Sequence, residues 1–216
     1  HFKYTIKDLL GAAKGKTCLL VGAGPSLMRQ NSLAKLKPVM DRFVIVAADG
    51  ALGHCLRAGL VPHYVISLDP HGERIVRWFG DEDLTVEKLA DDYFRRQDID
   101  SYLNTQEVEK NRELVRLLNI AGPGIKAVLC TSSPENVRDR CLRAGMESYW
   151  WNPIYDDYSE PRSITRALHR KNKIPCMNAG GNSGSAGWTL SARVLQADRI
   201  VMIGMDFSYY ADTSVS

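Results

Sequence analysis

The sequence has few cysteines and no pattern among them. The five, Cys18, Cys55, Cys130, Cys141 and Cys176, are odd in number and form no Cys-x-x-Cys pair, which argues against a disulfide framework and a thiolate metal centre. Three lie inside apolar strand or helix patterns, where a thiol behaves as a small hydrophobe. A reducing compartment is expected. No apolar run approaches the roughly 18 residues of a membrane span, and the opening "HFKYTIKDLL" lacks the charged-then-apolar layout of a signal peptide. The expected setting is therefore the cytoplasm, with no membrane span. The chain begins without methionine and stops soon after a strand pattern, which is compatible with a fragment of a longer protein.

Charge of one sign is also scarce. Lysine plus arginine number 28 against 25 for aspartate plus glutamate, a formal net charge of +3 over 216 residues. That surplus suits a small anionic ligand and does not single out nucleic acid. His54, His63, His71 and His169 stand apart, without a His-Glu-x-x-His or Cys/His cluster. A Gly-x-Ser-x-Gly elbow is absent, so a serine hydrolase has no support. Hydrophobic content of 44%, charged content of 25% and nine prolines fit one folded domain.

Against these absences stand six short apolar runs bounded by glycine, proline or aspartate: "TCLLVG", "FVIVAAD", "HYVISLD", "KAVLCTS", "ESYWWNP" and "RIVMIGMD". Without polar alternation they read as strands of a sheet covered on both faces. Helical patterns lie between them, at 50–58, 134–144 and 183–196. The expected fold is α/β: a Rossmann-like, doubly wound, mostly parallel sheet with a helical insertion, as a single domain over 1–216. The insertion is the polar stretch of about 71–118, packed beside the sheet or lying over it as a lid, its charges read as a solvated face. "CLRAGLVPHYVISLDP" (55–70) and "CLRAGMESYWWNPIYD" (141–156) echo one another, with Gly59 and Gly145 placed as helix C-terminal glycines. Residues 152–173 read as a loop and a short basic helix.

Loops at the C-terminal ends of parallel strands are where such folds carry chemistry. "GAGPSL" is not a Walker A loop, and Leu27 stands where a dinucleotide fingerprint needs a further glycine. What remains is a tight turn. Gly22, Ala23 and Gly24 let amides approach a ligand, Pro25 suits a first helical turn, and the Ser26 hydroxyl can donate to a phosphate. In "AADGA", Asp49 and Gly50 form a second strand-to-helix turn, where Asp49 accepts from a ribose or base, or caps the helix. "SLDP" places Asp69 at the mouth of the next strand. In "NAGGNSGSAGW", Gly180, Gly181, Asn182 and Ser183 lead into a helix whose first amides face an anion, or whose small residues allow close packing on the sheet. Asp206 ends the last strand, with Tyr209 nearby. His169 and Tyr149, Tyr155 and Tyr158 are weaker candidates for a base and phosphate contacts.

Taken in order, "LLVGAGPSL", "VIVAADGAL", "AGLVPHYVISLDP", "GGNSGSAGWTLSARVL" and "DRIVMIGMDFSY" resemble the family grouped around archaeal 6-hydroxymethylpterin diphosphokinase, which includes the bacterial motility accessory factor flagellin glycosyltransferases. The resemblance covers roughly 15–70 and 176–210. It implies a Rossmann-like fold whose Gly-Pro-Ser and Asp-Gly turns face a nucleotide-bearing donor. The "ADGA" turn also looks like thiamin pyrophosphokinase, and "GAGPSL" is similar to the nucleotide turn of bacterial sialyltransferases, which work without an Asp-x-Asp metal site. This chain has Leu68-Asp69-Pro70-His71 where the pterin enzymes are expected to have Asp-Leu-Asp-Gly, so one carboxylate of a metal pair is missing.

Three functions follow as expectations. One is a glycosyltransferase moving a sugar such as a nonulosonic acid from a CMP- or UDP-linked donor to a surface-glycan or protein acceptor. The second is a diphosphokinase using ATP and magnesium on a pterin-like alcohol, with Asp69 holding the metal beside Asp49 or Asp206. The third is a nucleotide-binding module without turnover. Asp69 and Asp206 are the expected catalytic residues.

Overall fold

The computed structural model describes residues 3–89 and 101–206. Tyr209 and part of the insertion lie outside the described residues. The six apolar runs form β2 (Thr17–Val21), β3 (Phe43–Ala48), β4 (Tyr64–Ser67), β5 (Lys126–Cys130), β6 (Glu147–Pro153) and β8 (Arg199–Ile203). Two strands of two residues each, β1 (Tyr4–Thr5) and β7 (Cys176–Met177), complete the set along the outer edge of β6. The sheet order is β1-β6-β5-β4-β3-β2-β8, with β7 on β6, and every pairing is parallel.

Burial on both faces explains the unbroken apolar runs. Cys18, Leu20, Val46, Ile66 and Val128 point to one face, where they pack with Ala186, Leu190 and Leu195. Their neighbours point to the other face: Leu19, Val21 and Ala47 meet Leu27, Leu33 and Cys55, while Val65, Ala127 and Leu129 meet Leu52, Phe79, Leu118 and Val137. β8 departs from the buried-strand expectation. Val201 and Met202 are exposed because among the described residues β8 pairs only with β2. Cys18, Cys55, Cys130 and Cys141 are buried free thiols and Cys176 is half-buried; desolvation pushes Cys55 and Cys141 up to about 12.

The helices follow the patterning. They are α1 (Ser26–Arg29), α2 (Ser32–Leu36), α3 (Leu52–Arg57), α4 (Gly72–Trp78), α5 (Val86–Leu89), α6 (Ser101–Ala121), α7 (Glu135–Arg143), α8 (Ile164–Asn172) and α9 (Ser183–Thr189), the last running into a π turn at Leu190–Val194. The two Cys-Leu-Arg-Ala-Gly segments end α3 and α7 in the same way. Gly59 and Gly145 are left-handed, at φ 72° and 78°. The amides of Gly59 and Leu60 return to the carbonyls of Leu56 and Cys55, and those of Gly145 and Met146 to Leu142 and Cys141. This pair of bonds is the Schellman closure, which satisfies carbonyls that a helix end leaves open.

The insertion between β4 and β5 contributes α4, α5 and α6. Ile75, Phe79, Leu114 and Leu118 lie in one cluster with Leu52, Val65 and Leu129, so these helices are part of the layer covering one sheet face. From β2 the strands run outward through β3, β4, β5 and β6, and β8 then returns to the other side of β2. That reversal opens a crevice at the C-terminal ends of β2 and β8, the place where doubly wound sheets bind ligands.

Candidate functional site

A cleft of about 610 Å³ lies at this edge of the sheet. Of the residues expected from sequence, Gly22, Ala23, Gly24, Pro25, Asp49, Gly50, Asp69, Gly181, Asn182, Ser183 and Asp206 line it. Gly180 and Ser26 do not. His169, Tyr149, Tyr155 and Tyr158 are also absent from its walls; Tyr158 instead meets His169 Nδ1 at 3.1 Å, and Tyr149 stacks on Tyr4.

The first turn is interlocked with the end of β8. The Gly22 amide donates to Ile203 O and the Gly24 amide to Gly204 O, both at 2.8 Å. A Cβ on Gly22 would fall 2.3 Å from Gly204 O, and one on Gly24 would fall 2.5 Å from Asp206 Oδ2. Close backbone approach therefore requires both glycines, whatever binds beside them. Asp206 accepts the Ser26 amide at 2.7 Å and the Ser26 hydroxyl at 2.6 Å. In this arrangement the single hydroxyl proton of Ser26, expected to meet a phosphate, goes to Asp206. Asp206, expected as catalytic, holds the turn with both oxygens.

Asp49 ties three segments together at the floor of the cleft. Its Oδ2 accepts the hydroxyls of Ser67 at 2.7 Å and Ser183 at 3.0 Å, and its Oδ1 accepts the Gly50 amide at 2.8 Å. The N-cap of the helical turn that Asp49 begins is Ala48, and within that turn the Asp49 side chain accepts only the Gly50 amide. Burial raises its pKa, the hydrogen bonds from Ser67, Gly50 and Ser183 oppose the rise, and the charge of Asp69 adds to it. The half-buried Asp69 accepts the His71 amide at 2.8 Å, and His71 Nδ1 accepts from the Arg74 amide to start α4.

The second glycine turn is held by its own capping box. Asn182 Oδ1 accepts the Ser185 amide and Ser185 Oγ accepts the Asn182 amide. Gly180 and Gly181 are left-handed, at φ 64° and 96°. Close packing, the alternative reading of the small residues, holds further along: a Cβ on Gly184 would fall 2.5 Å from Met205 Cε, and one on Gly187 would fall 2.6 Å from Leu20 Cδ1. Among the described residues, the amides of Ala23, Gly181, Ser183 and Gly184, all lining the cleft, make no hydrogen bond.

The carboxylates do not gather as a magnesium site. Asp49 and Asp206 each have both oxygens engaged by serine and backbone donors, and among the described residues no group of three or more His, Cys, Asp or Glu side chains converges. Sequence reading missed the wall facing the turns, which includes Arg74, Ile75 and Trp78 of α4. A signal was present, since a helix launched directly from the strand-ending Asp69-Pro70 sets its first turns beside the strand ends.

Fold and cleft define a doubly wound α/β domain with a crevice at its switch point. Residues 1–84 match the model of the family described as 6-hydroxymethylpterin diphosphokinase MptE-like. The family that the motifs resemble is thus the family whose model matches this segment. Among solved structures, the MAf glycosyltransferase from Magnetospirillum magneticum AMB-1 superposes with a TM-score of 0.53 at 15% identity. The alignment covers 100% of this chain and 26% of that chain, so this chain spans about a quarter of its length. At that identity the likeness establishes the shared fold. No curated protein matches the chain. Among the described residues, no helix is long and apolar enough to cross a membrane.

Proposed function

We propose that the cleft holds the nucleotide of an activated sugar and that this chain is the donor-binding unit of a glycosyltransferase. The observation that carries the reading is the convergence of unpaired amides from two turns distant in sequence, Ala23 on one side and Gly181, Ser183 and Gly184 on the other, at one cleft. When an acceptor hydroxyl bonds to the sugar's anomeric carbon, the sugar–phosphate bond breaks and its electron pair leaves on a phosphate oxygen. Preorganised amides stabilise that charge. The acceptor's proton goes to Asp69, the carboxylate of the cleft not engaged by serine hydroxyls. The MAf glycosyltransferase fold and the MptE-like match support this assignment.

The description of the matching family favours a second reading, ATP-dependent diphosphoryl transfer. One experiment separates the two. Melting of the protein is followed with CMP, UDP or ATP, each with and without magnesium; a nucleotide at a hundred times its Kd stabilises the folded state by about 2.7 kcal/mol. The donor-binding reading expects CMP or UDP to raise the melting temperature without magnesium. A shift by ATP alone, only with magnesium, replaces it with the second reading, and no shift with any nucleotide overturns both.

A further inference from the structure

The cleft poses an electrostatic problem for a phosphate-bearing ligand. Asp49, Asp69 and Asp206 all line it, and Arg74 is the one Lys, Arg or His side chain among its described lining residues. Hydrogen bonds from Ser26, Ser67 and Ser183 take up part of the carboxylate charge. The opposite charge that would draw an anion comes from α4. One turn further along the same helix stands Trp78, also in the cleft wall and, like Arg74, half-buried. Residues four apart share a helix face, with about 5–6 Å between their Cβ atoms.

The indole approaches the Asp49-Gly50 turn closely: a Cβ placed on Gly50 would lie 4.0 Å from Trp78 Cε2 and 3.0 Å from Ala23 Cβ. A side chain at position 50 would take up the space between the ring and Ala23, which glycine leaves open. α4 is also firmly seated. Ile75, Val76 and Phe79 are buried beneath it. Asn136 Nδ2 donates to Gly72 O at its start, and the fully buried Arg140 donates from Nε to Gly80 O at 2.7 Å just past its end. Gly80 itself is left-handed, and a Cβ there would fall 2.9 Å from the Val115 backbone nitrogen. A wall fixed at both ends orders little on binding, which favours affinity.

We infer that α4 reads the ligand as a nucleoside monophosphate unit, Trp78 stacking on the base and Arg74 pairing with the phosphate. This rests on the nucleotide reading of the cleft and assigns recognition to the insertion rather than to the glycine turns alone. Base–aromatic stacking tolerates any base, so the wall sets the chemical class of the ligand and not the base identity.

The test is titration calorimetry with CMP, cytidine and inorganic phosphate on the wild type and on Trp78→Leu, Trp78→Phe, Arg74→Gln and Arg74→Lys, each checked for folding by circular dichroism. Trp78→Leu is expected to weaken CMP and cytidine alike, by roughly tenfold, and Trp78→Phe to restore most of the loss. Arg74→Gln is expected to weaken CMP by roughly tenfold and leave cytidine unchanged, the turn amides keeping their share of the phosphate, with Arg74→Lys intermediate. Wild type that binds CMP while Trp78→Leu and Arg74→Gln bind it within twofold of wild type overturns the inference and leaves the nucleotide reading standing. Wild type that binds neither CMP nor cytidine overturns the inference, since a stacking wall tolerates any base; the nucleotide reading falls with it only where UDP and ATP also leave the melting temperature unchanged.

Discussion

The two glycine-rich turns at the cleft look alike in sequence and are glycine-rich for different reasons. In the turn of residues 22–26 glycine supplies space: Gly22 and Gly24 lie against Gly204 and Asp206 so closely that any side chain would collide with backbone or carboxylate. In the turn of residues 180–184 Gly181 supplies conformation: its φ is 96°, and a Cβ there would meet nothing within 4 Å. Each turn is also pinned by one aspartate. Asp206 holds the first through the amide and hydroxyl of Ser26, whereas Asp49 holds the second through the Ser183 hydroxyl from a buried position shared with Ser67. The first turn is a splice between β2 and β8, and the second is a ledge open to the cleft. Substitution of Gly22 or Gly24 should therefore act chiefly on stability, and substitution of Gly181 on ligand affinity as well.

The largest effect is expected from Gly22→Ala. Its Cβ contact of 2.3 Å is with the backbone oxygen of Gly204, which cannot swing aside as a flexible side chain would. Relief requires β2 and β8 to part at their ends. Overpacking of this kind costs about 1–3 kcal/mol, and the upper end is expected here, read as a lowered urea midpoint with an unchanged slope. A midpoint equal to wild type would show that the splice yields freely and would dissolve the contrast between the turns.

Gly181→Ala is the converse substitution. A left-handed alanine costs about 1–2 kcal/mol locally, and no packing penalty adds to it because the site is open. The midpoint should fall by less than for Gly22→Ala. The Gly181 amide shifts with its φ, so CMP affinity should drop while the fold persists. A variant with wild-type affinity would remove Gly181 from the binding surface.

Much of the frame is legible in the sequence because it follows from local patterning. Six apolar runs became six parallel strands, and the repeated Cys-Leu-Arg-Ala-Gly became two identical Schellman ends. What escaped depends on distant partners. β1 and β7, two residues each, are strands only because β6 offers them an edge. The pairing of Ser26 with Asp206 joins residues 180 apart in the chain. In isolation each reads as a free ligand group, and only their meeting reveals that they satisfy one another. Arg74 and Trp78 were hidden in a segment whose polarity resembles a solvated face, though Ile75, Val76, Phe79, Leu114 and Leu118 pack into the sheet layer and Arg74, Ile75 and Trp78 line the cleft.

The smallest effect concerns the aspartate of the second turn. Burial raises the pKa of Asp49 in the folded protein, whereas an unfolded aspartate titrates near about 3.9. Between those two values the folded state binds the extra proton, so this group's contribution to stability falls as the pH rises from about 4 through the raised folded value, and the full penalty persists above it. Asp49→Asn removes the titration. Its amide can donate to Ser67 and Ser183, whose hydroxyls rotate to accept, while its carbonyl keeps the Gly50 amide. The stability of Asp49→Asn relative to wild type should therefore grow as the pH rises from about 4 and then level off, measured by urea unfolding across the pH range. Titrating groups that do not interact with Asp49 are common to both proteins and cancel in the difference. A difference that stays flat with pH would mean that the two serines and the Gly50 amide offset the burial of the charge.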